Sequence, residues 1–269
     1  MAKSGQARVP TPDEWHHLFA VIQSHRHPEK NTAIMRVSRH LGLRVQEIAL
    51  LQIKEVARLK KSPPGFTLLK VMSLPAAYTK GANAMGRSQP RYQRKTVSFK
   101  VEEFDRILHQ VEALAKAGAE IDPESFYPAL KSHKGKSRDL PLIDDKLRGA
   151  LIEYLRIRLD ADPGAKPTDH LFLNQQGRRY SPNTLQEHMA LMLRGWAGVE
   201  KASSHSGRRA LITDVIHKQK KSVKVAQKIA GHVNPSTTII YEEPPEEELS
   251  DALANISSTT RSQKAAKMR

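Results

Sequence analysis

The sequence contains no cysteine. That excludes a disulfide framework, thiolate zinc sites and a thiol nucleophile, and it fits a reducing compartment. Aromatic residues make up only 5% of the chain, too few for a stacking platform that holds single-stranded nucleic acid. No apolar run approaches the ~20 residues that a membrane-spanning helix needs. The opening stretch, MAKSGQARVPTPDE, lacks the apolar centre of a signal peptide. Acids are the other shortage: 28 Asp and Glu face 44 Lys and Arg, a formal charge of +16 over 269 residues. Between Val56 and Val101 there is no acid at all, against ten Lys or Arg. A surplus of this size points to a polyanion as partner, and the scarcity of aromatics favours the backbone of a duplex. With 39% hydrophobic residues the chain is long enough to bury a real core.

The chain reads as mainly helical with a small sheet or hairpin, an α+β class. Residues 1–10 form a flexible arm. Thr11-Pro12-Asp13-Glu14 opens the first helix with a capping box and a proline in its first turn, and Trp15, Leu18, Phe19 and Ile22 face a core at helical spacing. Further helices are predicted from about Asn31 to His40, from Val45, over 101–117, over Ile143–Leu159, from Ser181 to about Trp196, and over 205–218 and 221–230. FTLLKVMSL, KTVSF, RDLPL and DHLFLN read as strands. The stretch PPEEELSDAL starts a last helix with acids at its positive end, and 257–269 is a disordered basic tail. Residues 11–256 are expected to form a single domain with a basic insertion at about 81–135.

Three constellations fail. Gly135-Lys136-Ser137 resembles the end of a phosphate-binding loop, but Leu130 stands where the first glycine belongs. His16-His17 and His25-x-His27 have no carboxylate or cysteine pattern to complete a metal site. Asp144-Asp145 and Glu246-Glu247-Glu248 sit at helix starts, where capping explains them.

One constellation survives. Gly42-Leu43-Arg44-Val45-Gln46-Glu47 puts an arginine at the mouth of a helix. SSHSGRRALITD places His205 and Arg208 three apart on one helical face. AGHVNPSTTIIYEE follows, with His232 after Gly231 and Tyr241 nine residues on. Two guanidiniums could clamp the charge of a phosphodiester in transit. Two histidines could add hydrogen bonds or move protons, a tyrosine hydroxyl could be the nucleophile, and a lysine could protonate the leaving oxygen.

At these residues the sequence resembles the tyrosine recombinase, or phage integrase, family over about residues 10–255. The family signature is a G-L-R-x-x-E turn, then H-x-x-R, then G-H with tyrosine nine residues later. Arg44, Glu47, His205, Arg208, His232 and Tyr241 match in order and spacing. The block departs from the family pattern at Gly207 and Arg209, where leucine and histidine usually stand. The family's lysine lies on a β-hairpin, for which Thr79-Lys80-Gly81 and SHKGKSRDLPL are the candidates. Lys80 is the assignment, with Lys134 the alternative, and RDLPL forms the second hairpin strand if 81–135 is inserted at the tip.

The resemblance implies a tyrosine recombinase catalytic-domain fold and a DNA strand transferase that needs no metal, ATP or other cofactor. Arg44, Lys80, His205, Arg208, His232 and Tyr241 are the implied catalytic set. Arg87, Arg91, Arg94, Lys95, Lys134, Lys136 and Arg209 are the expected DNA contacts. It also implies double-stranded DNA as partner, a homo-tetramer on two DNA sites, no membrane, and action in the bacterial cytoplasm or nucleoid. The family usually carries a separate N-terminal DNA clamp. Some ten residues precede the first helix here, so the insertion is expected to take over part of that role. A type IB topoisomerase and a non-catalytic DNA-binding accessory protein are the rival readings.

Overall fold

The computed structural model describes residues 7–60, 65–78, 100–126, 137–232 and 234–241, with Ser250 and Leu253. The first helix, α1 (Pro12–Ile22), starts as its sequence dictates. Thr11 Oγ1 accepts from the Glu14 amide, the Glu14 carboxylate accepts from the Thr11 amide, and Trp15, Leu18 and Ile22 are buried. The central helix, α2 (Pro28–Leu41), starts three residues earlier than its periodicity suggests. His27 adopts a left-handed conformation and Pro28 opens the first turn, which the proline's fixed φ favours.

Helix α2 packs against α6 (Asp145–Ala161) and α8 (Ser206–Thr213), and this contact forms the middle of the molecule. The α8 side has Gly207 at the crossing. A β-carbon there would run into Ser38 Oγ and come within 3.0 Å of the Ser38 carbonyl carbon. The departure from leucine at 207 therefore goes with a close helix crossing. Helix α6 begins at Asp145, with Asp144 accepting from the Leu147 amide. Ile143 lies outside it and is exposed.

The G-L-R turn follows directly from α2. Gly42 ends the helix at φ 61°, a conformation that favours glycine. Leu43 drops into the core, and Arg44 is the extended residue capping α3 (Val45–Leu50). A short α4 (Ile53–Val56) leads into β1 (Ala57–Leu59), paired antiparallel with β2 (Phe66–Leu68).

The predicted FTLLKVMSL strand is divided in two, with β3 (Val71–Leu74) forming a second ribbon with β4 (Arg138–Pro141). Alternation in RDLPL reads correctly as a strand, and it pairs with β3 as the second strand of a ribbon. The connection from β3 to β4 spans residues 75–137. The first strand ends at Leu74, six residues before Lys80, because Pro75 cannot donate to the ladder. Lys80, Arg87, Arg91, Arg94, Lys95, Lys134 and Lys136 lie outside the described residues, as does KTVSF. Within the connection, α5 (Val101–Lys116) occupies the predicted helical span.

DHLFLN is not a strand. Only isolated bridges tie Gln52 to His170 and Leu173 to Arg179, although Leu171 and Phe172 are buried. Helix α7 (Pro182–Ala190) continues as a π-helical segment, Leu191–Trp196, and α8 does the same over Asp214–Lys218. The last described helices are α9 (Val223–Ala230) and α10 (Ser236–Ile239). Of the expected C-terminal acidic helix, only Ser250 and Leu253 are described, both helical. Among the described residues no helix is long and apolar enough to cross a membrane.

Candidate active site

Four of the residues singled out in the sequence converge where the G-L-R turn, α8 and the end of α9 meet. Arg208, one turn into α8, is buried, and its guanidinium donates to the carbonyls of Gly42 and Ala230, both at 2.6 Å. A single side chain thus ties the Arg44 turn to the Gly231-His232 turn. Burial, with the guanidiniums of Arg44 and Arg138 nearby, pushes Arg208 down to about 9. That is well above neutrality, so the cation persists.

Arg44 is fixed by Glu47. The Glu47 carboxylate accepts from the Arg44 amide at 2.7 Å and from its guanidinium at 3.1 Å. It is 0% exposed. A charge so buried needs compensation, and a second guanidinium supplies it. Arg138 on β4 donates to both Glu47 oxygens, at 2.9 and 3.4 Å, and to the Ala230 carbonyl at 3.0 Å. Three guanidiniums therefore surround one carboxylate, a surplus of two positive charges in a largely desolvated wall. Such a wall attracts an anion far more strongly than the same charges in water.

Sequence reasoning missed Arg138. Its motif looked only like a strand, and its partner lies 91 residues away. The one available signal is Gly231, at φ 63°, where a β-carbon would run into the Arg138 guanidinium.

His232 follows Gly231 and is buried, with Nδ1 at 2.7 Å from Thr238 Oγ1 on α10. Burial, then Arg208, Arg44 and Arg138, push it down to about 3. It is a neutral imidazole at physiological pH, suited to hydrogen bonding rather than to carrying charge. Tyr241, just past α10, lies nearly parallel to His232 with ring centroids 6.2 Å apart. Its phenol is close enough to Arg208 to raise the arginine's basicity. The ring packs against the small apolar cluster around Ile212, Val215 and Ala226. His217 is 2.9 Å from the Tyr241 carbonyl, a contact that holds the backbone.

His205 caps α8 and is exposed, its amide donating to Ser203 Oγ. Arg209, expected at DNA, donates to the Ala7 carbonyl and lies 5.5 Å over the Tyr241 ring, so it also braces the tyrosine. Among the described residues no group of three or more His, Asp or Glu side chains is placed to hold a metal ion.

Residues 119–248 match the model of the phage integrase family. The match covers just under half of the chain. It holds Arg138, His205, Arg208, His232 and Tyr241, while Arg44 lies upstream. No curated protein matches the chain in sequence. Among solved structures, XerA recombinase shares 19% identity at a TM-score of 0.56, covering 92% of this chain and 64% of that one. The XerH site-specific recombinase, solved bound to a DNA substrate after cleavage, shares 17% at 0.55, covering 94% and 54%. The integrase of transposon Tn1549, in complex with transposon right end DNA, shares 15% at 0.55, covering 95% and 68%. The chain has the tyrosine recombinase fold, and it spans less than two thirds of the XerA and XerH chains.

The neutral histidines of this chain make its stability pH-dependent. Besides His232, His188, which meets the Tyr180 hydroxyl at 3.0 Å, is pushed down to about 4 by burial, Lys30 and His27. The unfolded chain takes up these protons near pH 6.5 and the folded chain only well below it. Between those limits the unfolded state holds more protons, so stability falls as pH drops through the window. The urea midpoint should decline steadily from pH 6.5 to 4, and His188→Gln should show a shallower decline.

Proposed function

We propose that this chain is a site-specific DNA recombinase that cuts and rejoins strands through a covalent 3′-phosphotyrosyl intermediate. The observation that carries this reading is the convergence of Arg44, Arg208, His232 and Tyr241 on one wall with a surplus of positive charge.

The phosphodiester sits against Arg44 and Arg208, whose guanidiniums take up the charge that builds on its non-bridging oxygens. The Tyr241 hydroxyl gives up its proton to solvent as its oxygen attacks phosphorus, and the bond from phosphorus to the 5′-oxygen breaks. The 3′-phosphate is now on the tyrosine, and the 5′-oxygen takes a proton and leaves as a hydroxyl. Lys80 is the proposed donor of that proton, with Lys134 as the alternative. His232, neutral and fixed by Thr238, hydrogen-bonds a phosphate oxygen, and His205 approaches from the exposed start of α8. Attack by a 5′-hydroxyl from a second strand reverses the step, returns the proton to Tyr241 and conserves the bond energy.

Arg87, Arg91, Arg94, Lys95, Lys136 and Arg209 complete the proposed DNA contacts, with residues 11–256 acting as one catalytic domain. The partner is double-stranded DNA, the working assembly a tetramer on two sites, and the compartment the bacterial cytoplasm.

A nicked duplex drawn from the DNA flanking the gene tests this reading. Cleavage next to the nick releases a short oligonucleotide and strands the covalent intermediate. In chelator, a protein–DNA adduct should appear on a denaturing gel, with the added nucleotide mass on the peptide containing Tyr241. Binding without an adduct would overturn the enzyme reading in favour of a DNA-binding accessory protein. Relaxation of supercoils by monomers on any sequence would favour a topoisomerase.

A further inference from the structure

The helix α5 is built to stand, with much of its apolar face open. Lys100 caps it, with its amide donating to Glu103 at 3.3 Å. At the other end Gly118 turns at φ 64°, and the Ala119 amide donates to the Leu114 carbonyl. Val101, Phe104, Leu108 and Val111 recur at a spacing of three and four, which lines them up on one face with Ile107 and Leu114 beside them. None of the sixteen residues is buried: Ile107, Val111 and Leu114 are half-buried, and Val101, Phe104 and Leu108 are 74%, 50% and 45% exposed. Helices of this length are marginal in water on propensity alone, and most draw stability from burying an apolar face. A contiguous exposed apolar face marks an interaction site.

Charge selects the partner. Residues 100–126 carry seven acids, including Glu102, Glu103, Asp105 and Glu112 on α5, against three bases. That is a net −4 in a chain of +16, which leaves the remainder at +20. DNA is repelled by such a helix. A second copy of this chain attracts it, because all of the chain's surplus positive charge lies outside this segment. Among the described residues, Lys221, Lys224 and Lys228 flank the exposed Val225 on and beside α9, an apolar residue set among bases that complements an apolar stripe set among acids.

We propose that α5 is a docking helix between copies of this chain, its apolar face buried on the neighbour and its acids set against the neighbour's bases. Such docking needs no strand transfer, so it stands or falls apart from the chemistry at Tyr241.

The lack of cysteine makes the test direct. Leu108→Cys provides a single thiol for a benzophenone maleimide, which is irradiated in the free protein and on a DNA duplex. A covalent product of two chains is expected on a denaturing gel. Sedimentation should show self-association weakened at least tenfold by Leu108→Asp, with an unchanged helical circular dichroism signal and an unchanged yield of tyrosine–DNA adduct on a nicked single site. Cross-links only within one chain or to DNA, or no loss of self-association in Leu108→Asp, would overturn the proposal. Loss of the adduct in wild type would count against the recombinase reading and leave this one standing.

Discussion

Tyr241→Phe is expected to abolish covalent attachment to DNA while leaving fold and DNA affinity intact. The substitution removes one oxygen. The ring keeps its packing against Ile212 and Val215, its place beside His232 and the Arg209 guanidinium above it. The backbone carbonyl keeps its contact with His217. What goes is the proposed nucleophile, and among the described residues no neighbouring side chain substitutes for it: His232 is turned to Thr238 and both arginines are cations. Loss of a nucleophile costs on the order of 10⁴-fold or more, since only positioning and charge stabilisation survive. The check is single-turnover cleavage of a nicked duplex beside equilibrium binding of the same duplex. Binding within about threefold of wild type, with no adduct, is the expected result. An adduct of undiminished yield would move the nucleophile elsewhere.

The second large effect belongs to Glu47→Gln. Glutamine keeps the shape and the acceptor for the Arg44 amide, but it cannot neutralise. Arg44 and Arg138 both lean on this carboxylate, and Arg208 lies close to both. Removing one partner of a buried charge cluster costs about 3–5 kcal/mol, because the remaining charges are left uncompensated in a desolvated setting. That is a large share of the ~5–15 kcal/mol by which domains are stable, so urea unfolding should show it at once. Strand cleavage should fall ~10²-fold, the scale for misplacing one charge-stabilising donor. Replacing Arg138 with methionine in the Glu47→Gln background should recover part of the lost stability, since one unpaired cation is withdrawn. A double-mutant cycle reads that coupling. Strict additivity would mean that Glu47 and Arg138 do not act as a pair.

Expectation and structure part in instructive places. The start of α1 was legible to the atom, because a capping box involves residues only three apart. The G-L-R turn was legible for the same reason: Gly42, Arg44 and Glu47 are neighbours whose backbone states are dictated locally. DHLFLN misled because a buried apolar run has the same composition whether it joins a ladder or merely touches one at His170 and Leu173. The amphipathic stripe of α5 was visible, but amphipathicity says which face wants cover, not whether cover is present. Arg209 was assigned to DNA by its charge, and packing adds a contact that charge does not announce, its guanidinium over the Tyr241 ring.

The sequence alone determined the order and spacing of the reactive residues. His205 and Arg208 share a helical face through the 3.6-residue period, and Gly231 sets His232 at a helix end through the one conformation that glycine adopts freely. What only the tertiary structure decided is how charge is balanced among them. Arg138 reaches Glu47 across 91 residues because β4 pairs with β3, and Arg208 joins Gly42 to Ala230 because Gly207 lets α8 press against α2. Local propensity acts over a few bonds and is written in adjacent letters. Desolvation and the neutralisation it demands act between surfaces, and they exist only once the chain has brought those surfaces together.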